Sequence, residues 1–106
     1  MAVPSSLIEG VVIPSPTQDL KGAKRVEQYR VSPQAVYIPA GLRWTYIPVS
    51  AMESAESSHR SVTAGHCVTV TERLPSLYIR AGGQDFTLPL ENPDSPEKIL
   101  EIIKAE

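Results

Sequence analysis

Apolar and polar residues alternate most regularly near the end of the chain. Phe86, Leu88 and Leu90 are separated by Thr87 and Pro89, which is the two-residue period of a strand that buries one face. This pattern predicts a strand over these five residues, with its apolar side packed into a core.

A helix is predicted directly after this strand. Its start has two readings: Asp94 caps with Glu97 as its capping-box partner, or Ser95 caps with Pro96 at the first helical position. The apolar residues that follow share one side of the helix with Pro96, and they are Ile99, Leu100 and Ile103. A helix of about ten residues is marginal alone in water, so this stripe is expected to pack on a sheet.

The rest of the chain supplies that sheet in short pieces. Stretches of alternating residues recur at intervals of about ten positions, and Pro, Gly or Ser residues end each of them. The predicted strands are 7–13, 24–31, 35–38, 42–46, 66–72 and 77–80, with a weaker one at 53–58. Between them we predict loops at 18–22 and 57–65, a corner or helical turn at 47–52, and turns at 39–41, 74–76 and 81–84. The pattern predicts a mainly β fold of about seven short antiparallel strands followed by one C-terminal α-helix.

The strand predicted at 42–46 carries the only tryptophan of the chain. Trp44 shares one strand face with Leu42 and Tyr46, because side chains two residues apart point the same way. Neighbours of this kind favour Trp44 as a core residue over an exposed aromatic patch with Tyr46 and Tyr37.

Composition narrows the class of protein without naming a function. The chain has 106 residues, enough for one domain with a modest core, and 42% of them are hydrophobic. Its net charge of −2 argues against a nucleic-acid partner or a broad anionic-membrane footprint, both of which call for basic excess. Cys67 is the only cysteine, so no intrachain disulfide forms. Without a signal-peptide pattern or an apolar run of about 20 residues, we predict a cytoplasmic protein with no transmembrane segment.

The order of the predicted elements resembles the pleckstrin-homology-like (PH-like) fold, and most closely its small single-domain bacterial members. Three features carry the resemblance: an aromatic strand that runs into the Ile-Pro corner at 47–52, short paired strands at 77–80 and 86–90 around a glycine turn, and the strand-to-helix junction at 88–93. Together these features span about 24–105, which is most of the chain.

The resemblance implies a bent antiparallel sheet, or partly open barrel, whose open end is capped by the C-terminal helix. This PH-like domain is assigned to 23–106. The segment 1–22 is interpreted as an N-terminal strand and loop in front of it, and its Ser, Thr and Pro content is also typical of a poorly ordered arm.

The soft metal ligands of the chain are His59, His66 and Cys67. Their spacing matches no zinc motif, and adjacent strand residues such as His66 and Cys67 point to opposite faces. A fourth ligand would have to come from a carboxylate: Glu53, Glu56 or Glu72. No orienting carboxylate is indicated for a catalytic Cys–His pair either. We therefore predict no metal, no cofactor and no catalytic residue.

A second candidate site is a group of basic residues around the predicted first hairpin. In eukaryotic PH domains, basic residues in this region bind phosphoinositide headgroups, so the resemblance implies an anion patch formed by Lys21, Lys24, Arg25 and Arg30. Asp19 and Glu27 interleave with these residues, and a mixed-sign pattern favours a solvated strand face over a binding site.

These observations predict a non-catalytic PH-like interaction module. Its partner is predicted to be another protein or a second copy of the chain, bound through edge strands, because an incompletely closed sheet leaves backbone groups free to pair. Homo-oligomers of this kind occur in the bacterial branch that the chain resembles. The first alternative is binding of an anionic lipid headgroup or small anion by the basic residues. The second alternative is a small enzyme or metal-binding protein.

Overall fold

The structure, a computed structural model, describes residues 3–64 and 70–104, with side chains for 3–58 and 74–104. It has eight strands in two sheets and a C-terminal helix, so the predicted mainly β class is confirmed. The elements are β1 (Ser5–Ser6), α1 (Pro16–Gly22), β2 (Lys24–Val26), β3 (Tyr29–Val31), β4 (Ala35–Ala40), β5 (Arg43–Pro48), β6 (Met52–Ala64), β7 (Val70–Ala81), β8 (Gln84–Pro89) and α2 (Ser95–Lys104).

Each sheet is built mainly from consecutive antiparallel strands. The first has the order β1-β5-β4-β3-β2, in which β2 to β5 form a meander and β1 joins β5 in parallel through Ser5↔Thr45 and Ser6↔Tyr46. The second is the meander β6-β7-β8. A short 3-10 turn, Val49–Ala51, carries the chain from the first sheet to the second, which confirms the predicted corner. The two sheets are not closed into a barrel.

The main core lies between the inner faces of the two sheets and α2. In β8, Leu88 is buried while Thr87 and Pro89 are exposed, as the alternation predicts. In α2, Ile99 and Ile103 are buried in the same core. The other buried members are Ile8, Val26, Tyr29, Val31, Val36, Ile47, Leu77, Ile79, Ala81 and Leu90. The predicted packing of the C-terminal helix on the β layer is therefore confirmed.

The N-terminal segment differs from the prediction. The strand predicted at 7–13 and the loop predicted at 18–22 are wrong, since only Ser5–Ser6 is extended and α1 occupies 16–22. The Ser6 hydroxyl explains the early end of the strand: it donates to the Val11 carbonyl at 2.6 Å and accepts from the Ile8 N–H at 3.1 Å. These local hydrogen bonds fold the chain back and compete with a strand ladder.

This segment covers the outer face of the first sheet with a second, smaller core. Its buried members are Ile13, Leu20, Ala35, Tyr37 and Tyr46. Alternation along β4 and β5 places one set of side chains in the main core and the other set under the N-terminal segment. The first sheet is therefore covered on both faces.

Three further predictions need correction. The strand predicted at 24–31 is two strands, β2 and β3, which pair around a turn at 27–28. Residues 57–64, predicted as part of a loop, belong to strand β6. Residues 74–76, predicted as a turn, lie inside the continuous strand β7. Antiparallel pairing with β6 holds these polar residues extended, because backbone hydrogen bonds do not require apolar side chains. The part of the strand predicted at 66–72 that falls on 66–69 lies outside the described residues.

Candidate functional site

Two arginines of the predicted basic group are brought together by the β2–β3 hairpin. Arg25 and Arg30 are cross-strand partners, so both side chains project from the outer face of the first sheet. Arg25 is exposed and Arg30 is half-buried. Like charges directly opposite each other destabilise a strand pair. This position therefore carries an electrostatic cost within the isolated chain.

These arginines line a groove of about 290 Å³, which we call the arginine groove; its lining residues are Arg25, Gln28, Arg30, Pro39 and Trp44. The Arg30 guanidinium lies 5.7 Å from the centroid of the Trp44 ring, within cation–π range. The contact places the Arg30 guanidinium beside the Trp44 ring, and its planar donor fork suits carboxylate and phosphate oxygens.

Trp44 only partly fits its predicted role as a core residue. It is half-buried at the margin of the second core, where it also forms a wall of the groove. Tyr37 and Tyr46 are fully buried, which rules out the exposed aromatic patch that would include them. Leu42 is fully exposed in the turn before β5, so its predicted place beside Trp44 on a strand face is wrong.

Asp19, an acidic residue that interleaves with the basic group in sequence, is turned away from the arginine groove. Its Oδ2 accepts hydrogen bonds from the Tyr37 hydroxyl at 2.6 Å and the Ser32 hydroxyl at 2.5 Å. Burial, together with the hydrogen bond to Asp19 and the charge of that carboxylate, raises the pKa of the Tyr37 phenol. The Asp19 carboxylate thus anchors α1 to the first sheet.

The Glu27 carboxylate also forms its hydrogen bonds away from the arginine groove. It holds a left-handed backbone conformation, φ 54°, in the β2–β3 turn. Its carboxylate oxygens accept from the backbone N–H groups of Glu91 at 2.9 Å and Asn92 at 3.3 Å. Burial opposes ionisation, but hydrogen bonds from the Ser95 hydroxyl and from these two N–H groups outweigh it and lower the pKa of Glu27. The Glu27 carboxylate therefore ties the first hairpin to the start of α2, while Arg25 Nε donates to the Glu27 backbone carbonyl at 3.2 Å.

Lys21 and Lys24 lie apart from the arginine groove. Lys21 is an exposed residue in the last turn of α1. Lys24 is the cross-strand partner of Val31, a core residue, and it lines a different groove between β2 and α2. Of the four predicted residues, Arg25 and Arg30 share the arginine groove, Lys24 shares the second groove with Arg25, and Lys21 lines neither.

The sequence contained a signal for this arrangement. Apolar Val26 and Tyr29 are three residues apart, which breaks the two-residue period of a continuous strand. Such a break indicates a turn at Glu27-Gln28, and a turn there places Arg25 opposite Arg30. Gln28 and Pro39 had no signal of their own, because their place in the groove depends on the strand register.

The outer face of the second sheet is polar and acidic. Arg80 and Asp85 are cross-strand partners on this face, and Arg80 Nε lies 3.7 Å from the Glu53 carboxylate. The Tyr78 hydroxyl donates to Asp85 Oδ1 at 2.6 Å, and Glu56 is exposed opposite Tyr78. We call the three carboxylates Glu53, Glu56 and Asp85 the acidic face; Arg80 offsets one of their charges.

In the second sheet, β6 and β7 stay paired beyond the end of β8. Strand β8 pairs with β7 as far as Ser76↔Pro89, whereas β6 and β7 stay paired from His59↔Pro75 to Ala64↔Val70. These six residue pairs form a two-stranded segment, here called the ribbon, about 20 Å long at 3.3 to 3.4 Å per residue. Its part at 70–72 falls in a predicted strand, whereas 59–64 was predicted as a loop because its polar residues are typical of one.

The predicted soft ligands fall where the structure gives no side-chain description: His66 and Cys67 lie in the undescribed 65–69, and only the backbone of His59 is described. Across 3–64 and 70–104, no group of three or more His, Cys, Asp or Glu residues could hold a metal ion. Within the same part of the chain, no helix is both long and apolar enough to span a bilayer. Comparisons with protein-family models, curated proteins and solved structures found no match to this chain.

Proposed function

We propose that this chain is a non-catalytic, PH-like interaction module that associates with a second copy of itself or another protein by pairing β edges. The succession of four antiparallel strands, three antiparallel strands and a capping helix supports the PH-like resemblance. A bacterial origin and a cytoplasmic location stay predictions.

The ribbon is the observation that carries this proposal. A two-stranded hairpin is marginally stable in water by itself, and it gains independent stability from a third strand or a packed layer. Strand β8 supplies a third strand only up to Ser76, and the Leu90 N–H donates to the Pro75 carbonyl at 3.1 Å, so the five pairs from Arg60↔Leu74 to Ala64↔Val70 have no third strand among the described residues. The backbone groups of such edges pair readily with a strand of another chain.

The roles of the described polar groups support a binding function over a catalytic one. Asp19, Glu27 and Ser32 each use their side-chain oxygens to hold one element of the fold to another. Groups committed to such bonds are poorly placed to move protons during a reaction, which requires reach to a substrate.

A shortened ribbon tests the proposal. Replacing Ser61–Arg73 with Asn-Gly closes the hairpin directly after the pair Arg60↔Leu74, since Asn-Gly favours a two-residue turn. The main core is untouched, so cooperative thermal unfolding should be retained. At about 500 mM salt, where contacts between exposed charges are screened, sedimentation velocity over about a hundredfold range of concentration should show association of the full chain and its loss in the variant.

The result would contradict the proposal if the full chain stayed monomeric over this range, or if the shortened variant associated equally well. Association through backbone pairing should also persist when salt is raised, because it does not depend on exposed charges.

Binding of a small anion or lipid headgroup is a second candidate function, favoured by the facing pair Arg25 and Arg30. Two guanidiniums without an acidic partner among the described residues suit a doubly charged phosphate group. Vesicles with and without anionic lipid, each at low and high salt, test this candidate. Loss of binding in Arg25→Gln/Arg30→Gln supports it, and equal binding by that variant rejects it.

A further inference from the structure

Charge is segregated between the two halves of the molecule. Residues 1–52 contain five basic residues and three acidic ones, a net charge of +2. Residues 53–106 contain five basic and nine acidic residues, a net charge of −4. The first half forms the first sheet, and the second half forms the second sheet and α2. The net charge of −2 is therefore the sum of two halves of opposite sign.

The outer faces of the two sheets carry this polarity in complementary form. The first presents Arg25 and Arg30 in the arginine groove, while their acidic sequence neighbours are bonded elsewhere. The second presents the acidic face, where Glu53 and Asp85 share Arg80 at 3.7 and 3.8 Å yet stay 55% and 60% exposed, and where Glu56 has no ion pair among the described residues. Complementary exposed charges steer association and fix its orientation.

The main core separates these two faces, so they point away from each other. Opposite faces cannot meet in one two-fold dimer, because a two-fold interface uses the same patch on both copies. They can meet when one copy stacks on the next, which is a heterologous contact.

We infer that the arginine groove of one copy receives the acidic face of a second copy, so that the chain assembles head to tail. Arg25 and Arg30 pair with carboxylates of the incoming face, and their mutual repulsion is relieved. This contact is separate from the ribbon and goes beyond strand pairing. The partner is the chain itself because the chain carries both halves of the charge pattern.

Neutral variants of each face test the inference. Arg25→Gln/Arg30→Gln removes both positive charges from the arginine groove. Glu56→Gln/Asp85→Asn removes two negative charges from the acidic face. The amide that replaces the Asp85 carboxylate keeps an oxygen acceptor for the Tyr78 hydroxyl. The double variant Lys98→Gln/Lys104→Gln is the control, since it removes two exposed charges from α2. Circular-dichroism melts would show that all three remain folded.

The expected result is a specific pattern of masses in sedimentation equilibrium. The unchanged chain and the control should form species larger than dimers at about 50 mM salt, at least tenfold more weakly at about 500 mM, where screening is strong. Each face variant should lose this salt-sensitive growth. When both face variants are made in the chain whose ribbon is shortened with Asn-Gly, their mixture should form a one-to-one complex that grows no further, because each partner keeps one active face and ribbon pairing is removed.

Other results would overturn the inference. One is growth of the unchanged chain beyond dimers that is independent of salt, or the absence of such growth at low salt. Ribbon pairing is decided separately, by the shortened variant at high salt. Another is a mixture of the face variants that stays monomeric. A third is loss of anionic-vesicle binding in Arg25→Gln/Arg30→Gln with no change in mass, which would assign the groove to a lipid surface.

Discussion

The outer face of the first sheet is mostly buried, whereas the outer face of the second sheet is exposed to solvent. The outer face of the first is covered by α1 and the segment before it, with Tyr37 and Tyr46 fully buried there. The outer face of the second is open and polar, with Glu56 and Arg80 exposed. The covered face has the apolar residues that make covering favourable, and the open face does not.

This difference separates stability from recognition within one small fold. The N-terminal segment adds a second core to the first sheet and leaves only its margin, the arginine groove, open to a partner. The second sheet lacks such a cover among the described residues, so its polar face and ribbon are the larger accessible surface. Changes on the covered face should therefore affect folding, and changes on the open face should affect association.

The largest expected effect compares two tyrosines, one from each face. Tyr37→Ala removes a fully buried side chain and its bond to Asp19, and should lower the free energy of unfolding by about 3–5 kcal/mol. Tyr78→Ala removes a half-exposed side chain and should cost less than about 1 kcal/mol. Urea unfolding measures both, and similar losses would contradict the distinction between the faces.

The next effect tests where the N-terminal segment meets the second sheet. Gly82 has φ 57°, and a methyl group there would lie 2.7 Å from Ile8 Cγ2. Gly82→Ala should cost about 2–3 kcal/mol, since backbone strain and overpacking both act. Gly83→Ala is the matched control, because φ is 78° but no atom lies within 4 Å, so strain alone should cost about 1 kcal/mol. Ile8→Ala should reduce the difference between the two variants; an unchanged difference would exclude the Ile8 contact as its cause.

Glu27→Gln tests the tie between the first hairpin and α2. Because the pKa of Glu27 is lowered from 4.5 in the folded chain, its carboxylate stabilises the fold above about pH 4.5. That contribution is lost as the pH falls through the folded-state pKa. The variant should therefore be less stable by about 1–2 kcal/mol at pH 7, with a smaller difference near pH 3. A difference independent of pH would contradict this role.

The smallest effects compare two buried serines. The Ser32 hydroxyl donates to Asp19 and accepts from the N–H groups of Gln34 and Ala35, so Ser32→Ala should cost about 1 kcal/mol. The Ser76 hydroxyl is buried without a hydrogen-bond partner in the part of the chain that is described. Ser76→Ala should therefore be neutral or slightly stabilising. Thermal melts separate the two, and a clear loss in Ser76→Ala would indicate a partner outside the described residues.

The sequence predicted the elements whose patterns are local. The alternation at Phe86 to Leu90 and the stripe at Ile99 and Ile103 appear in the structure as predicted. Their buried sides follow from a period that a single strand or helix displays by itself.

The elements that depend on distant partners were not predictable in this way. The β6 part of the ribbon, residues 59–64, is mostly polar and is extended through its pairing with β7. The N-terminal segment is apolar, yet it forms α1 and turns because Ser6 bonds to its own neighbours and Leu20 finds the second core. The arginine groove was half predicted: the basic residues were visible in sequence, but their selection required the register of β2 with β3 and the positions of two carboxylates.

The parallel pairing of β1 with β5 has a consequence for the order of folding during synthesis. Ser5 pairs with Thr45, which is 40 positions later in the chain, whereas β2 to β5 pair with immediate neighbours. Closing so long a loop carries an entropic cost that local hairpins avoid. Ser5 and Ser6 are synthesised well before their partners in β5 and so dock late, and until they do Tyr37 and Tyr46 lack part of their cover.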